Sequence, residues 1–277
     1  MNVIGNEKVF EDLKKLGEKK KLGNAYIFFG EPSVGKRQVA EALAHHFESG
    51  HNEGDGEYLE ETRIIEAREG ESIGIDAIRD IRNFLWQKPI KSNYRTVIID
   101  EANLLTSQAQ NAILKIAEEP PAYALIILIL ANPEALLPTV VSRFQKIYFS
   151  RLTDEAIETF LIDQMKMTKE KAKEIASKSF GRPGRAVRLI KDKATIKYEK
   201  TAAIILKTQK PEVPKALFDG QKNLGLLAES LLSELRKDTI KNADKIKSLL
   251  ERFRVVYQYN TNKRLQLETA LWTTSKK

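Results

Sequence analysis

Residues 30–36 (GEPSVGK) place two glycines and a lysine at the spacing of a phosphate-cradling loop. Glycine lets backbone N–H groups turn toward phosphate oxygens, a following helix N-terminus adds positive potential, and Lys36 would reach the β/γ oxygens. The next position calls for a Ser or Thr hydroxyl to ligate Mg²⁺, and Arg37 stands there. A guanidinium cannot ligate a metal and carries a positive charge to the metal's place. Nucleotide binding would then survive weakly, and metal-assisted hydrolysis would suffer badly. Gly30, Gly35, Lys36 and Arg37 are thus candidate binding residues of a degenerate loop, with ATP expected to be weakly held or absent and no metal ligand set.

About 64 residues after Lys36, an apolar run ends in Asp100 and Glu101. In phosphate-loop ATPases such a pair supports hydrated Mg²⁺ and polarises the attacking water. An acidic pair also caps a following helix. Asn132, before Pro133, either senses a γ-phosphate or makes an ordinary Asn-Pro turn. Arg143, within residues 142–144 (SRF), is either a solvated charge or a finger that reaches a neighbouring subunit's nucleotide.

These groups need a scaffold, and the first 150 residues supply one. Short apolar runs at 25–29, 63–67, 96–99, 125–130 and 146–149 alternate with helical patterns at 35–46, 75–86 and 107–117. That alternation predicts a parallel sheet with helices on both faces. Pro120 and Pro121 stop the last helix. Residues 49–61 read as a polar, glycine-rich loop. After residue 150 apolar residues recur at i, i+3 and i+4, predicting short helices at 154–164, 169–179 and 185–192. Longer helices follow from about residue 194, broken at 211–214 and near Gly220.

The chain has 277 residues and no cysteine, which excludes disulfides and cysteine-based zinc sites. Its longest apolar run, 124–131, falls far short of the ~20 residues that span a bilayer, and no secretory leader is visible. A cytoplasmic protein without a membrane partner is expected. Charge is uneven: residues 1–150 carry 18 Lys+Arg against 22 Asp+Glu, whereas residues 151–277 carry 28 against 16. The basic half suits nucleic acid, an acidic protein, or simply solvated lysine-rich helices.

Residues 99–106 (IDEANLLT), 110–121 (QNAILKIAEEPP) and 137–145 (LPTVVSRFQ) resemble the clamp-loader ATPases of bacterial DNA polymerase III. The likeness extends over nearly the whole chain, to 75–89, 181–187 and 262–268. It implies an α/β fold with an AAA+ nucleotide-binding-type domain over 1–150, a helical lid over 151–193 and an all-α collar for oligomerisation over 194–277. The family contains gamma/tau motor subunits with an intact loop and delta-prime subunits with a degenerate one. Arg37 favours delta-prime. So does the lid, where the motors' nucleotide-sensing arginine falls on Gly184, with Arg185 one step along. The helical tail is expected to be a single domain without a long polymerase-binding extension. The family's four-cysteine zinc module is replaced by the acidic loop at 49–61, so no zinc is expected and other packing must hold that corner.

The resemblance implies an accessory subunit of the polymerase holoenzyme without ATPase activity of its own. It would join motor and delta subunits to load a sliding clamp on primer–template DNA, with Arg143 acting in trans. The competing reading is an autonomous AAA+ ATPase, a motor or helicase-loader relative, favoured by retention of Lys36, Asp100 and Glu101. A small-molecule kinase fits poorly, because it leaves the helical tail unexplained.

Overall fold

The computed structural model describes residues 3–50, 59–68, 70–207, 221–258 and 263–272. The chain divides into two units, Met1–Ala186 and Val187–Lys277. In the first, five strands form one parallel sheet: β1 (Ala25–Phe29), β2 (Thr62–Ile65), β3 (Arg95–Ile99), β4 (Ala124–Leu130) and β5 (Gln145–Tyr148), in the order β2-β3-β4-β1-β5. All seven residues of β4 are buried, as a central strand covered on both faces requires.

Alternation along the strands sorts the core into two layers. Ile27, Val97, Ile99, Ile126 and Leu128 face α3 (Ile75–Leu85), α4 (Ser107–Glu118) and α5 (Pro138–Arg143). Phe28, Ile98, Leu125, Ile127 and Ile129 face α1 (Glu7–Glu18) and α2 (Lys36–Ser49). Thr106 caps α4 by accepting the Ala109 N–H. The sheet with helices on both faces agrees with the sequence.

Three differences have physical causes. Strand β2 starts and stops earlier than 63–67, because Ile65 is the last residue to pair and Glu66 leaves the ladder toward Arg37. Helix α1 was not anticipated, although Phe10, Leu13 and Gly17 bury its inner face. Helix α5, six residues long, is too short to show a period.

The corner at 49–61 lies partly outside the described residues, which omit 51–58. The Glu48 carboxylate, near the end of α2, accepts the N–H groups of Glu60 and Glu61 and so fastens the entry to β2. Beside it, buried Glu61 accepts the N–H groups of Ile90, Lys91 and Ser92, and Arg95 donates to the carbonyls of Gln87 and Lys88.

Helices α6 (Asp154–Asp163) and α7 (Lys169–Ser179) pack through Ile157, Leu161, Ala172 and Ala176. Helix α8 (Pro183–Lys191) begins two residues earlier than the sequence suggests, since proline is preorganised for a first helical turn. The second unit holds α9 (Lys193–Lys207), α10 (Gln221–Leu235), α11 (Ala243–Gln258) and α12 (Lys263–Trp272). Tyr198, Ala202, Leu227, Leu231, Leu249 and Phe253 form its core. The expected breaks at 211–214 and Gly220 fall outside the described residues. No helix among the described residues is long and apolar enough to cross a membrane.

Candidate functional site

The carboxyl ends of β1, β3 and β4 lie side by side, with Phe29 paired to Leu130 and Ile99 to Leu128. Open parallel sheets bind ligands at this edge. Three candidate segments leave from it: the 30–36 loop, Asp100-Glu101, and Asn132.

The loop is shaped by its backbone. Gly30 has φ 139°, and a Cβ there would stand 2.3 Å from the Phe149 carbonyl oxygen, so only glycine fits. Gly35, φ 102°, turns the chain into α2. Lys36 folds back under the loop, and its Nζ donates to the carbonyls of Gly30 (2.6 Å) and Glu31 (2.7 Å). Burial lowers its pKa to about 8, against the opposing pull of Asp100 and Glu31.

Three neighbours hold this loop; sequence reasoning missed Asn6 and Arg151, and singled out Gly184 without its contact to the loop. Buried Asn6 donates through Nδ2 to the Val34 carbonyl (3.0 Å). Arg151, just after β5, forks onto Glu31 at 2.8 and 2.6 Å. From α8 the Gly184 N–H donates to the Ser33 carbonyl (3.0 Å), and a Cβ at Gly184 would approach Ser33 to 3.0 Å. None of these contacts has a local spacing, so no sequence signal points to them.

Arg37 sits where three carboxylates converge. Its Nε donates to Glu41 (2.6 Å), and its Nη1 reaches Asp100 (3.3 Å) and ion-pairs with Glu66. Burial opposes the charge, but hydrogen bonding to Glu41 and the fields of Glu41, Glu66 and Asp100 outweigh it and raise the Arg37 pKa. The other Asp100 oxygen accepts the Glu101 N–H (2.9 Å). Glu101 is exposed at φ 49° and opens a short turn, Ala102–Leu104. Phosphate-loop ATPases hold Mg²⁺ through a hydroxyl at position 37 and a carboxylate at position 100. Here the hydroxyl is missing and the carboxylate already carries a guanidinium, so these residues do not fit a hydrated Mg²⁺.

The remaining candidates are placed as follows. Asn132 accepts the Glu134 N–H (3.1 Å) and donates to the Glu134 carboxylate (3.2 Å), which is the turn geometry. Arg185 is only 1% exposed; its Nε donates to the Lys178 carbonyl (2.9 Å) and its guanidinium lies 5.3 Å from the centre of the Phe180 ring. It thus ties α8 to the end of α7, while its neighbour Gly184 meets the loop. Arg143 ends α5 with 61% of its side chain exposed, its nearest carboxylate being Glu118 at 3.7 Å. Buried Val140 and Phe144 bracket it. Gln110 anchors the start of α5: it donates to the Leu105 carbonyl (3.1 Å) and accepts the Leu137 N–H (2.7 Å).

Comparison with known proteins adds to this geometry. Residues 5–153 match the family described as "DNA polymerase III, delta subunit". The tau subunit of DNA polymerase III from Bacillus subtilis is 32% identical over 167 residues, covering 56% of this chain and 30% of that protein. The delta' subunit from the same organism is 32% identical over 160 residues, covering 53% of this chain and 48% of that protein. The chain therefore spans less than half the length of these curated relatives. A gamma-subunit-related protein of DNA polymerase III from Thermotoga maritima shares the fold, with TM-score 0.60 and 24% identity over 96% of this chain and 98% of that one.

Proposed function

The chain belongs to the DNA polymerase III clamp-loader family of AAA+ proteins, and we propose that within it this protein is the delta-prime subunit. In that role it lends Arg143 to a neighbouring gamma/tau motor subunit and hydrolyses no ATP itself. One pairing of observations carries the reading: a projecting Arg143 on an anchored helix, beside a loop whose metal corner holds Arg37.

The chemistry follows from charge. Phosphoryl transfer builds negative charge on the γ-phosphoryl oxygens and the leaving group. A guanidinium held in place stabilises that charge without reorganising and is worth ~10³–10⁵ in rate when supplied in trans. Pro138, Val140, Phe144 and Gln110 hold α5 so that Arg143 projects from its end. ATP in this chain's own loop would be weakly held or absent. Gly30, Gly35 and Lys36 would meet its phosphates, Arg37 and Asp100 would face them, and Glu101, Asn132 and Arg185 are further candidates.

The remaining assignments extend the same proposal. Residues 1–150 form the nucleotide-binding-type domain, 151–193 the lid and 194–277 the oligomerising collar. In the collar, exposed Ile204, Leu250 and Leu265 suit burial against other subunits. The delta subunit, the sliding clamp and primer–template DNA complete the assembly, in the cytoplasm, with no membrane or zinc.

Reconstitution tests this reading. Loader assembled with Arg143→Ala should form normally, keep this chain folded and lose most of its DNA-stimulated ATPase. Unchanged turnover removes the finger from the account. The second reading, an autonomous ATPase, is favoured by Lys36, Asp100 and Glu101 and by the equal identity to a tau subunit. Mg²⁺-dependent ATP binding by the chain alone would support it.

A further inference from the structure

Three acidic side chains from three elements meet at one point of the sheet edge. Glu41 comes from α2, Glu66 from the residue after β2, and Asp100 from the residue after β3. Strands β2 and β3 are hydrogen-bonded neighbours, and the Asp100 N–H donates to the Ile65 carbonyl (2.9 Å) just before Glu66. The two carboxylates are therefore forced close together at the strand ends. Left alone they would repel each other and attract a divalent cation.

Arg37 sits between them. Its planar fork gives Nε to Glu41 while Nη1 serves both Asp100 and Glu66, so one side chain bridges three carboxylates. A lysine's single ammonium on a flexible stem could not reproduce that fork. Mg²⁺ demands near-octahedral oxygens at about 2.0–2.1 Å, and the guanidinium occupies the Asp100 oxygen such an ion would recruit.

We propose that Arg37 is a built-in replacement for the divalent cation: its guanidinium ties the ends of β2 and β3 to α2 and makes the folded state of this chain indifferent to Mg²⁺. A Ser or Thr at this position would leave the carboxylates open to a metal, whereas this chain carries the charge covalently. This indifference to Mg²⁺ belongs to the isolated chain, independent of its proposed role in the loader, and is read without any other subunit.

The test is thermal unfolding of the purified full chain, wild type and Arg37→Ser, in EDTA and in MgCl₂ at matched ionic strength. Wild type should melt at the same temperature in both. Arg37→Ser should melt lower in EDTA by roughly 2–4 °C, since partly exposed pairs are screened. MgCl₂ should restore part of that loss, because the serine hydroxyl and the freed carboxylates now accept the ion. A wild-type melting temperature that rises with Mg²⁺ overturns the proposal. So does an Arg37→Ser protein as stable as wild type in EDTA, or one whose loss Mg²⁺ does not repair. If Arg37→Ser fails to fold, Arg37→Lys takes its place. It should melt below wild type without any Mg²⁺ response, and equality with wild type refutes the bridging role.

Discussion

Lys36 can be interrogated through pH alone. Burial brings its pKa from the ordinary 10.5 down to about 8, with Asp100 and Glu31 working against the fall. In the unfolded chain the ammonium keeps its proton up to about pH 10.5. Between pH 8 and 10.5 the unfolded state therefore binds more protons, and the linkage relation makes stability rise with pH there. Below pH 8 the buried charge costs the fold roughly 3 kcal/mol, at ~1.4 kcal/mol for each tenfold change in proton affinity. Lys36→Met keeps most of the apolar stem and removes the titration. It also loses the hydrogen bonds to Gly30 and Glu31, which offsets its stability by an amount that does not vary over this window. The assay is urea unfolding of both proteins from neutral pH to about 10.5, read as wild type minus variant. Tyr26 and Tyr94, whose pKa values burial raises, titrate in both proteins and cancel. The difference should move in favour of wild type by roughly 3 kcal/mol across the window. Parallel pH profiles would show that Lys36 titrates as it does in water, and the argument from burial would fail.

Other substitutions probe other parts of the account. Gly30→Ala must adopt φ 139° and push a Cβ to 2.3 Å from the Phe149 oxygen, so it should lose about 3 kcal/mol in urea unfolding. Glu61→Gln weakens a buried carboxylate that gathers three N–H groups, at about 1.5–3 kcal/mol near neutral pH. Burial works against the Glu61 charge, but bonds from Ile90, Ser92 and Lys91 and the field of Arg95 hold its pKa below 4.5. Its stabilising contribution is therefore present above that pH and is lost as pH falls through the lowered value, so wild type and Glu61→Gln should converge in acid. Arg143→Ala, at an exposed position, should change unfolding free energy by no more than about 0.5 kcal/mol.

Much of the sheet was legible because buried parallel strands leave continuous apolar runs, as at 125–130. The loop was legible for a different reason: glycine and lysine at fixed offsets report a backbone shape. Helix α1 escaped notice although Phe10, Leu13 and Gly17 stand at helical spacing with Val9 packed beside them, because lysines and glutamates dominate the segment. What holds the site was illegible. Asn6 beneath Val34, Arg151 on Glu31 and Gly184 against Ser33 join residues far apart in the chain, and no period or motif announces them. Arg37 shows the boundary well. Its identity declared the missing hydroxyl, whereas its bridging of Glu41, Glu66 and Asp100 needed the strand order and the register. The corner at 49–61 is similar: the absence of cysteine was plain, but Glu48 and Glu61 as its fasteners were not.

The proposed division of labour, a donated Arg143 beside an incapacitated loop, meets its most direct test in ATP turnover by the purified chain alone with Mg²⁺. The account predicts no hydrolysis above the uncatalysed background, with or without primed DNA. Sustained Mg²⁺-dependent turnover that vanishes in Lys36→Met would contradict it and make this chain a motor in its own right.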